Sequence, residues 1–190
     1  DGDWSSDVCS SDLITLLETG THPSLQSLRA KALDCASTIA AAVNSSVFAP
    51  DANRLLSALH NLQSTIAEDD DETERYLLGA YAQLAEVVGP EAFAPYVEDV
   101  FPRLIEEAQK KPDMTIGGGE EEEDDDEWET IEMNGDVVAI RTTALEEKAE
   151  AVQNLVILVQ AIGEALPVET LQGVLQVAVP LLKVRSLRER

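Results

Sequence analysis

Gly89-Pro90-Glu91-Ala92-Phe93-Ala94-Pro95-Tyr96-Val97-Glu98-Asp99-Val100-Phe101-Pro102 decides the fold of this chain, because part of it has occurred before. Phe93-Ala94-Pro95 repeats Phe48-Ala49-Pro50 at an offset of 45 residues. The same offset lays Leu33, Ala36, Ile39, Ala40 and Val43 over Leu78, Tyr81, Leu84, Ala85 and Val88. A second offset, of 78 residues, carries Leu78, Tyr81, Leu84 and Val88 onto Val156, Val159, Ile162 and Leu166. It also carries Phe93, Val97, Pro102 and Leu104 onto Leu171, Leu175, Pro180 and Leu182. The shorter offset falls in the ~40–47-residue period of stacked helical units, and 78 is one such unit plus an insertion.

Each unit reads as two helices. Leu25, Leu28, Ala32, Cys35, Ile39 and Val43 recur every three or four positions, as one face of a helix requires. Leu55, Leu59, Leu62 and Ile66 form the next stripe, with Asp51 after Pro50 as the expected N-cap. Unit two carries Leu77, Tyr81, Leu84 and Val88, then Phe93, Val97, Phe101, Leu104 and Ala108, divided at Gly89-Pro90. Unit three carries Leu145, Ala149, Val152, Val156 and Val159, then Leu171, Leu175, Ala178 and Leu182, divided at Leu166-Pro167. Pro102 and Pro180 fall inside the second helices, where proline costs ~3 kcal/mol; their equivalent positions make the bend part of the architecture. The expected fold is an all-α HEAT-repeat solenoid of about three helical hairpins, each burying its stripe against the next.

Between units two and three lies an insertion. Gly117-Gly118-Gly119 leads into Glu120, Glu121, Glu122, Glu123, Asp124, Asp125, Asp126 and Glu127, a low-complexity run expected to be disordered. Trp128–Met133 and Asp136–Arg141 then flank Asn134-Gly135, the signature of a small two-stranded hairpin with a type I′ turn. A lone hairpin is marginal in water, so it should lean on the adjoining helix, which Thr142 or Thr143 should cap. The divisions are 1–13, a non-native leader that lacks a helical stripe and resembles a translated sequencing adapter; 14–66, unit one; 67–111, unit two; 112–141, acidic loop plus hairpin; 142–183, unit three; and 184–190, a truncated tail.

Composition narrows the function. The chain has 190 residues, 44% apolar and only 4% aromatic, too few aromatic and β-branched side chains for an all-β sandwich. Thirteen Lys and Arg against 37 Asp and Glu give a net charge of −24, so phosphate backbones and anionic lipids are repelled and a basic polypeptide is the natural partner. No nucleic acid or membrane insertion is expected; no apolar run approaches the ~18 residues of a span. Two cysteines, Cys9 and Cys35, suit a reducing compartment. His22 and His60 have no catalytic partners at a recognised spacing, and Cys35 reads as a small buried hydrophobe. The triple glycine precedes acids rather than Gly-Lys-Ser/Thr, and an EF-hand frame from Asp69 puts Glu74 where glycine belongs and Ala80 where the bidentate acid belongs. An enzyme, a cofactor and a metal site are therefore not expected. The strongest signal is the stretch from Asp113 to Asp136, with twelve acids and no Lys or Arg. A second acidic cluster, Glu68 to Glu72, falls at a turn between units. Such runs either solubilise or steer a basic partner.

Several segments together resemble a known family. Leu28-Arg29-Ala30-Lys31-Ala32-Leu33-Asp34-Cys35 resembles the repeat opening in the central HEAT region of importin-β-type nuclear transport receptors (karyopherins). Asp124-Asp125-Asp126-Glu127-Trp128-Glu129, with Ile140-Arg141-Thr142-Thr143-Ala144-Leu145-Glu146-Glu147-Lys148-Ala149, is similar to the acidic insertion of the importin beta-3 branch. Val179-Pro180-Leu181-Leu182-Lys183 resembles the ending of its next second helix, whereas Val184 to Arg190 departs from the aromatic-rich continuation. Family members are several times longer, so the resemblance implies an internal fragment of a carrier for basic nuclear localisation signals. It further implies unloading by Ran-GTP, shuttling between cytoplasm and nucleus through the nuclear pore, and second helices lining a concave side. On that basis Asp51, Asn53, Asn61, Glu98 and Asp99 are the cargo-facing candidates, together with Glu120 to Glu127 and Trp128. Two other readings stay open: a HEAT scaffold gripping its partner through apolar ridges, and an acidic binding module for basic proteins such as histones.

Overall fold

Repetition at 45 residues puts equivalent helices side by side, and one contact displays it. Lys31 donates from Nζ to the Tyr76 hydroxyl at 2.6 Å, and its ammonium lies 4.7 Å from the Tyr76 ring centroid. The two residues are 45 apart and sit on the first helices of successive units. The computed structural model describes residues 6–20, 22–43, 45–66, 71–111, 114–116, 128–133 and 136–188. Among these, the helices are α1 (Ser6–Thr19), α2 (Gln26–Ala42), α3 (Ser45–Gln63), α4 (Asp71–Phe93), α5 (Val97–Gln109), α6 (Thr142–Ile162) and α7 (Val168–Arg188). The first helices α2, α4 and α6 stack in a row, α5 meets α7, and each second helix packs on the first helix of the next pair, α3 on α4 and α5 on α6. The chain is a HEAT-type helical stack.

The offset of 45 survives in the packing. Leu33, Ala36 and Ala40 are buried, as are Leu78, Tyr81, Leu84 and Ala85. The whole second stripe, Phe93 at the end of α4 and Val97, Phe101, Leu104 and Ala108 in α5, is buried against this core. Burial of each such Leu or Phe contributes roughly 1.5–3 kcal/mol. The break between α4 and α5 is made by Gly89, whose φ of 77° and ψ of 178° belong to a region essentially reserved for glycine. Pro90 restarts a short helical turn, and a single 3₁₀ turn over Ala94–Tyr96 leads into α5.

Other expectations require correction. Residues 6–13, expected to lack a helical stripe, lie in α1, which packs on α2 and α3 with Ile14 and Leu17 buried. Its contacts repeat those of α5 with α6 and α7, so α1 occupies the position of a second helix. The end of α1 is pinned by the buried Arg29, whose Nη1 donates to the Gly20 carbonyl at 3.0 Å. Asp51 is not an N-cap, because α3 starts at Ser45 and runs through Pro50. Arg141 takes the N-cap position of α6 without a capping side-chain bond, and Thr142 is already helical. Cys35 and Leu28 are exposed; α2 buries Ala30, Ala32, Leu33, Ala36, Ser37 and Ala40 instead, a face that small residues mark poorly.

The offset of 78 fails at several positions. Val156 is 44% exposed, and Leu145 and Ala149 also face solvent, while α6 buries Ala151, Asn154, Leu155, Leu158 and Ile162. Residues 152–162 are apolar nearly all round, so the neighbours α4 and α5, not the periodicity, select the face. In α7 the expected Leu175 and Leu182 are 57% and 67% exposed, and Leu171, Val174 and Val177 face the core.

The insertion holds a three-stranded antiparallel sheet where two strands were expected. β1 (Met114–Ile116), β2 (Trp128–Met133) and β3 (Asp136–Arg141) are ordered β1-β3-β2. Met114 stands opposite Ile140, and Trp128 opposite Arg141. The extra strand gives β3 a neighbour on each side, and β3 runs directly into α6. The Asn134-Gly135 turn, the acidic run Glu120 to Glu127 and the cluster residues Glu68 to Asp70 lie outside the described residues. So do the first five residues and the last two.

Candidate partner-binding site

The exposed face of α3 is polar because its apolar side chains are committed to the core. Asn53, Ser57, Asn61 and Ser64 face solvent at three- and four-residue spacing, while Leu55, Leu56, Leu59 and Leu62 are buried. The chain then meets α5 through His60, whose Nδ1 lies 3.6 Å from Asp99 Oδ2 and whose ring stands edge-on to Tyr96 at 5.9 Å. Glu98 and Asp99 are exposed in the first turn of α5, where the helix dipole favours negative charge. Pro102, inside the same helix and exposed, supplies no N–H to the carbonyl four residues back, that of Glu98. Backbone and side-chain acceptors therefore share one patch.

The five helical candidates divide into two groups. Asp99 of α5 meets His60 of α3, a link that sequence reasoning left without a role, and Glu98 and Asn61 are their exposed chain neighbours. Asp51, half-buried, and Asn53 lie about two turns earlier on α3, at the end where Arg54 Nη2 bonds Glu18 Oε2 of α1 at 3.1 Å. Ion pairs remove part of the positive charge from this side: Arg54 goes to Glu18, and Arg103 Nη1 to Glu74 Oε1 at 2.7 Å. Of the remaining candidates, Glu120 to Glu127 lie outside the described residues, and Trp128 begins β2 opposite Arg141.

Beneath the patch sits an aromatic cluster. Tyr81 is fully buried against Phe93 and Tyr96, with ring centroids 6.1 and 5.9 Å away, and donates its hydroxyl to Gln63 Oε1 at 3.2 Å. Burial pushes the Tyr81 phenol well above its ordinary range; Tyr96 and Asp99 add to the rise and Arg103 offsets part of it. It stays a neutral donor that fixes α3 to α4. The cluster ties α3 to α4 and to the turn before α5 beneath these exposed residues.

A second polar assembly lies between the helices. Glu74 and Arg75 of α4, Glu107 and Lys110 of α5, and Glu147, Glu150 and Asn154 of α6 rim a cleft of about 70 Å³ floored by Leu78, Leu104 and Ala151. Sequence reasoning missed it because its residues come from three helices with no shared motif. Burial raises the Glu150 carboxyl above its ordinary range; Arg75 lowers it, and Glu147 and Asp34 raise it further.

No protein-family model matches the chain. It is 27% identical over 131 residues to importin subunit beta-3 of Saccharomyces cerevisiae, a match covering 67% of this chain and 12% of that relative. The crystal structure of Kap121p bound to Pho4p superposes with a TM-score of 0.63 at 25% identity, over 82% of this chain and 14% of that one. Kap121p alone gives 0.60 at 27% identity, over 80% and 15%. The chain is similar in sequence and in fold to the importin-β-type karyopherins. Helical stack, repeat period and sequence likeness all agree on this. The chain spans about an eighth of the karyopherin relative's length. Among the described residues, no helix is long and apolar enough to cross a membrane.

Proposed function

We propose that this segment is part of a nuclear import receptor and binds the basic nuclear localisation signals of protein cargo. The observation that carries the reading is the likeness to Kap121p, a karyopherin with solved complexes that include Pho4p, Nup53p and the SUMO protease Ulp1p. Physical chemistry supplies the recognition. An exposed acid–lysine pair contributes only ~0–1 kcal/mol, so the grip comes from many pairs along a repeat array. Asn61, Glu98 and Asp99 would form one such stretch on the concave side, and Asp51 and Asn53 a second. The run Glu120 to Glu127 would raise the local concentration of basic chains before they dock. In the whole receptor, Ran-GTP would unload the cargo in the nucleus, and the protein would move between cytoplasm and nucleus. The segment works by binding, without catalysis and without a cofactor.

Charge reversal tests the site. The pair Glu98→Lys and Asp99→Lys should weaken binding of a lysine-rich signal peptide by about tenfold or more at low salt, read by fluorescence anisotropy. Glu86→Lys, a reversal at an exposed position of α4, should have a much smaller effect. Equal losses from the two changes would reduce the patch to part of a diffuse field, and no loss from either would contradict the reading.

A further inference from the structure

His60 stands where the repeat places a contact between helices. At the offset of 45 residues its counterpart in α5 is Ile105. Ile105 meets α7, since a Cβ at Gly173 would come within 2.8 Å of its Cδ1. One second helix therefore reaches the next through this position. In α3 an imidazole fills it in place of an apolar side chain, with Nδ1 3.6 Å from Asp99 Oδ2 and the ring edge-on to Tyr96 at 5.9 Å. The His60 and Asp99 side chains are 54% and 46% exposed, so both are open to protons and to a ligand.

The surroundings isolate this pair. On α3 the residues from Leu56 to Ser64 include no Asp, Glu, Lys or Arg. From α5 come Asp99 and its chain neighbour Glu98, while Arg103 is committed to Glu74 of α4 at 2.7 Å. From α4, Tyr81 joins the same cluster through the Tyr96 ring and stays a neutral donor to Gln63. Among the described residues, Asp99 makes no ion pair except with His60. That pairing exists only when the imidazole carries a proton.

We propose that His60 gates the patch of Glu98 and Asp99 by pH: the neutral imidazole leaves Asp99 to a lysine of the partner polypeptide, and the imidazolium takes Asp99 for itself and repels the incoming ammonium. The inference rests on the reading of that patch as a binding site for basic chains, and adds its regulation. Histidine is the side chain that ordinarily changes charge between about pH 5 and 8, whereas lysines stay charged and ordinary carboxylates stay ionised there. His60 is thus the switching member of the patch. An exposed pair moves an equilibrium by no more than about fivefold, so the gate grades affinity and does not abolish it.

The test uses the 190-residue chain and a lysine-rich signal peptide with blocked ends and no histidine, followed by fluorescence anisotropy at constant low salt. From about pH 8 to about pH 5.5, the affinity of the unaltered chain should fall about threefold to fivefold more than that of His60→Gln. His22→Gln removes the other histidine, which bonds Ser24 before α2, and should keep the full fall. Asp99→Asn should bind more weakly at the higher pH and lose the extra fall. Equal pH profiles for the unaltered chain and His60→Gln, or an extra fall that survives in Asp99→Asn, would overturn the gate and leave the patch standing. An extra fall that disappears in His22→Gln would overturn the assignment to His60. No binding at the higher pH would overturn the patch, and the gate with it.

Discussion

At the scale of the residue, the backbone of Gly89 and the carboxyl of Glu150 give sharp expectations. A Cβ at Gly89 would touch nothing, so Gly89→Ala isolates the backbone cost of φ 77°. The variant should lose about 1–3 kcal/mol in urea unfolding; no loss would mean that the α4–α5 joint does not need this conformation. For Glu150 the sign follows from its causes. Its ionised form is disfavoured in the folded chain, so its contribution to stability is fully present at acid pH. That contribution falls as pH rises from the ordinary carboxylate range through its raised value. Arg75 lowers that value, and Arg75→Gln should therefore move the Glu150 carboxyl titration to higher pH, observed by carbon NMR. A shift to lower pH would contradict the ion-pair geometry. Neither feature has a complete signature in the chain: Gly89-Pro90 marks a break without revealing its angles, and Glu150 is one of 37 acids until folding surrounds it.

At the scale of the element, legibility depended on contrast. α4 and α5 set Leu, Tyr and Phe against charged residues, and their buried faces follow the sequence stripes. α2 is rich in alanine and α6 in valine, so more than one face could be buried, and packing on α4 and α5 chose a different one in α6. The phase can be checked directly. Leu158→Ala should cost about 2–5 kcal/mol and Val156→Ala less than about 1 kcal/mol; comparable losses would restore the face that periodicity suggested. α1 was missed because its polar N-terminal half hides a stripe that starts only with Leu13, Ile14 and Leu17. Close packing of α7 on α5 is equally specific. A Cβ at Gly173 would come within 2.8 Å of Ile105 Cδ1, so Gly173→Ala should destabilise and Ile105→Val, which lacks that atom, should relieve part of the loss. Strict additivity in a double-mutant cycle would show that the two side chains do not meet.

At the scale of the whole molecule, an acidic helical array meets an apolar open flank. Val156, Val168, Leu175 and Leu182 are all exposed on α6 and α7. Exposed apolar area of this kind drives association, so light scattering should find the chain's mean mass rising with concentration, and a constant monomer mass would contradict this. The repeat period and the net charge of −24 were open in the sequence and led to the helical stack and to the choice of partner. The cleft was not, because it arises only when three helices converge. The central claim is recognition of basic chains by distributed charge, which salt must weaken. Its most direct test is the affinity of a lysine-rich signal peptide for the 190-residue chain between about 50 and 500 mM salt. Affinity should fall steadily across the series. A salt-independent affinity, or no binding at the lowest salt, would contradict the account.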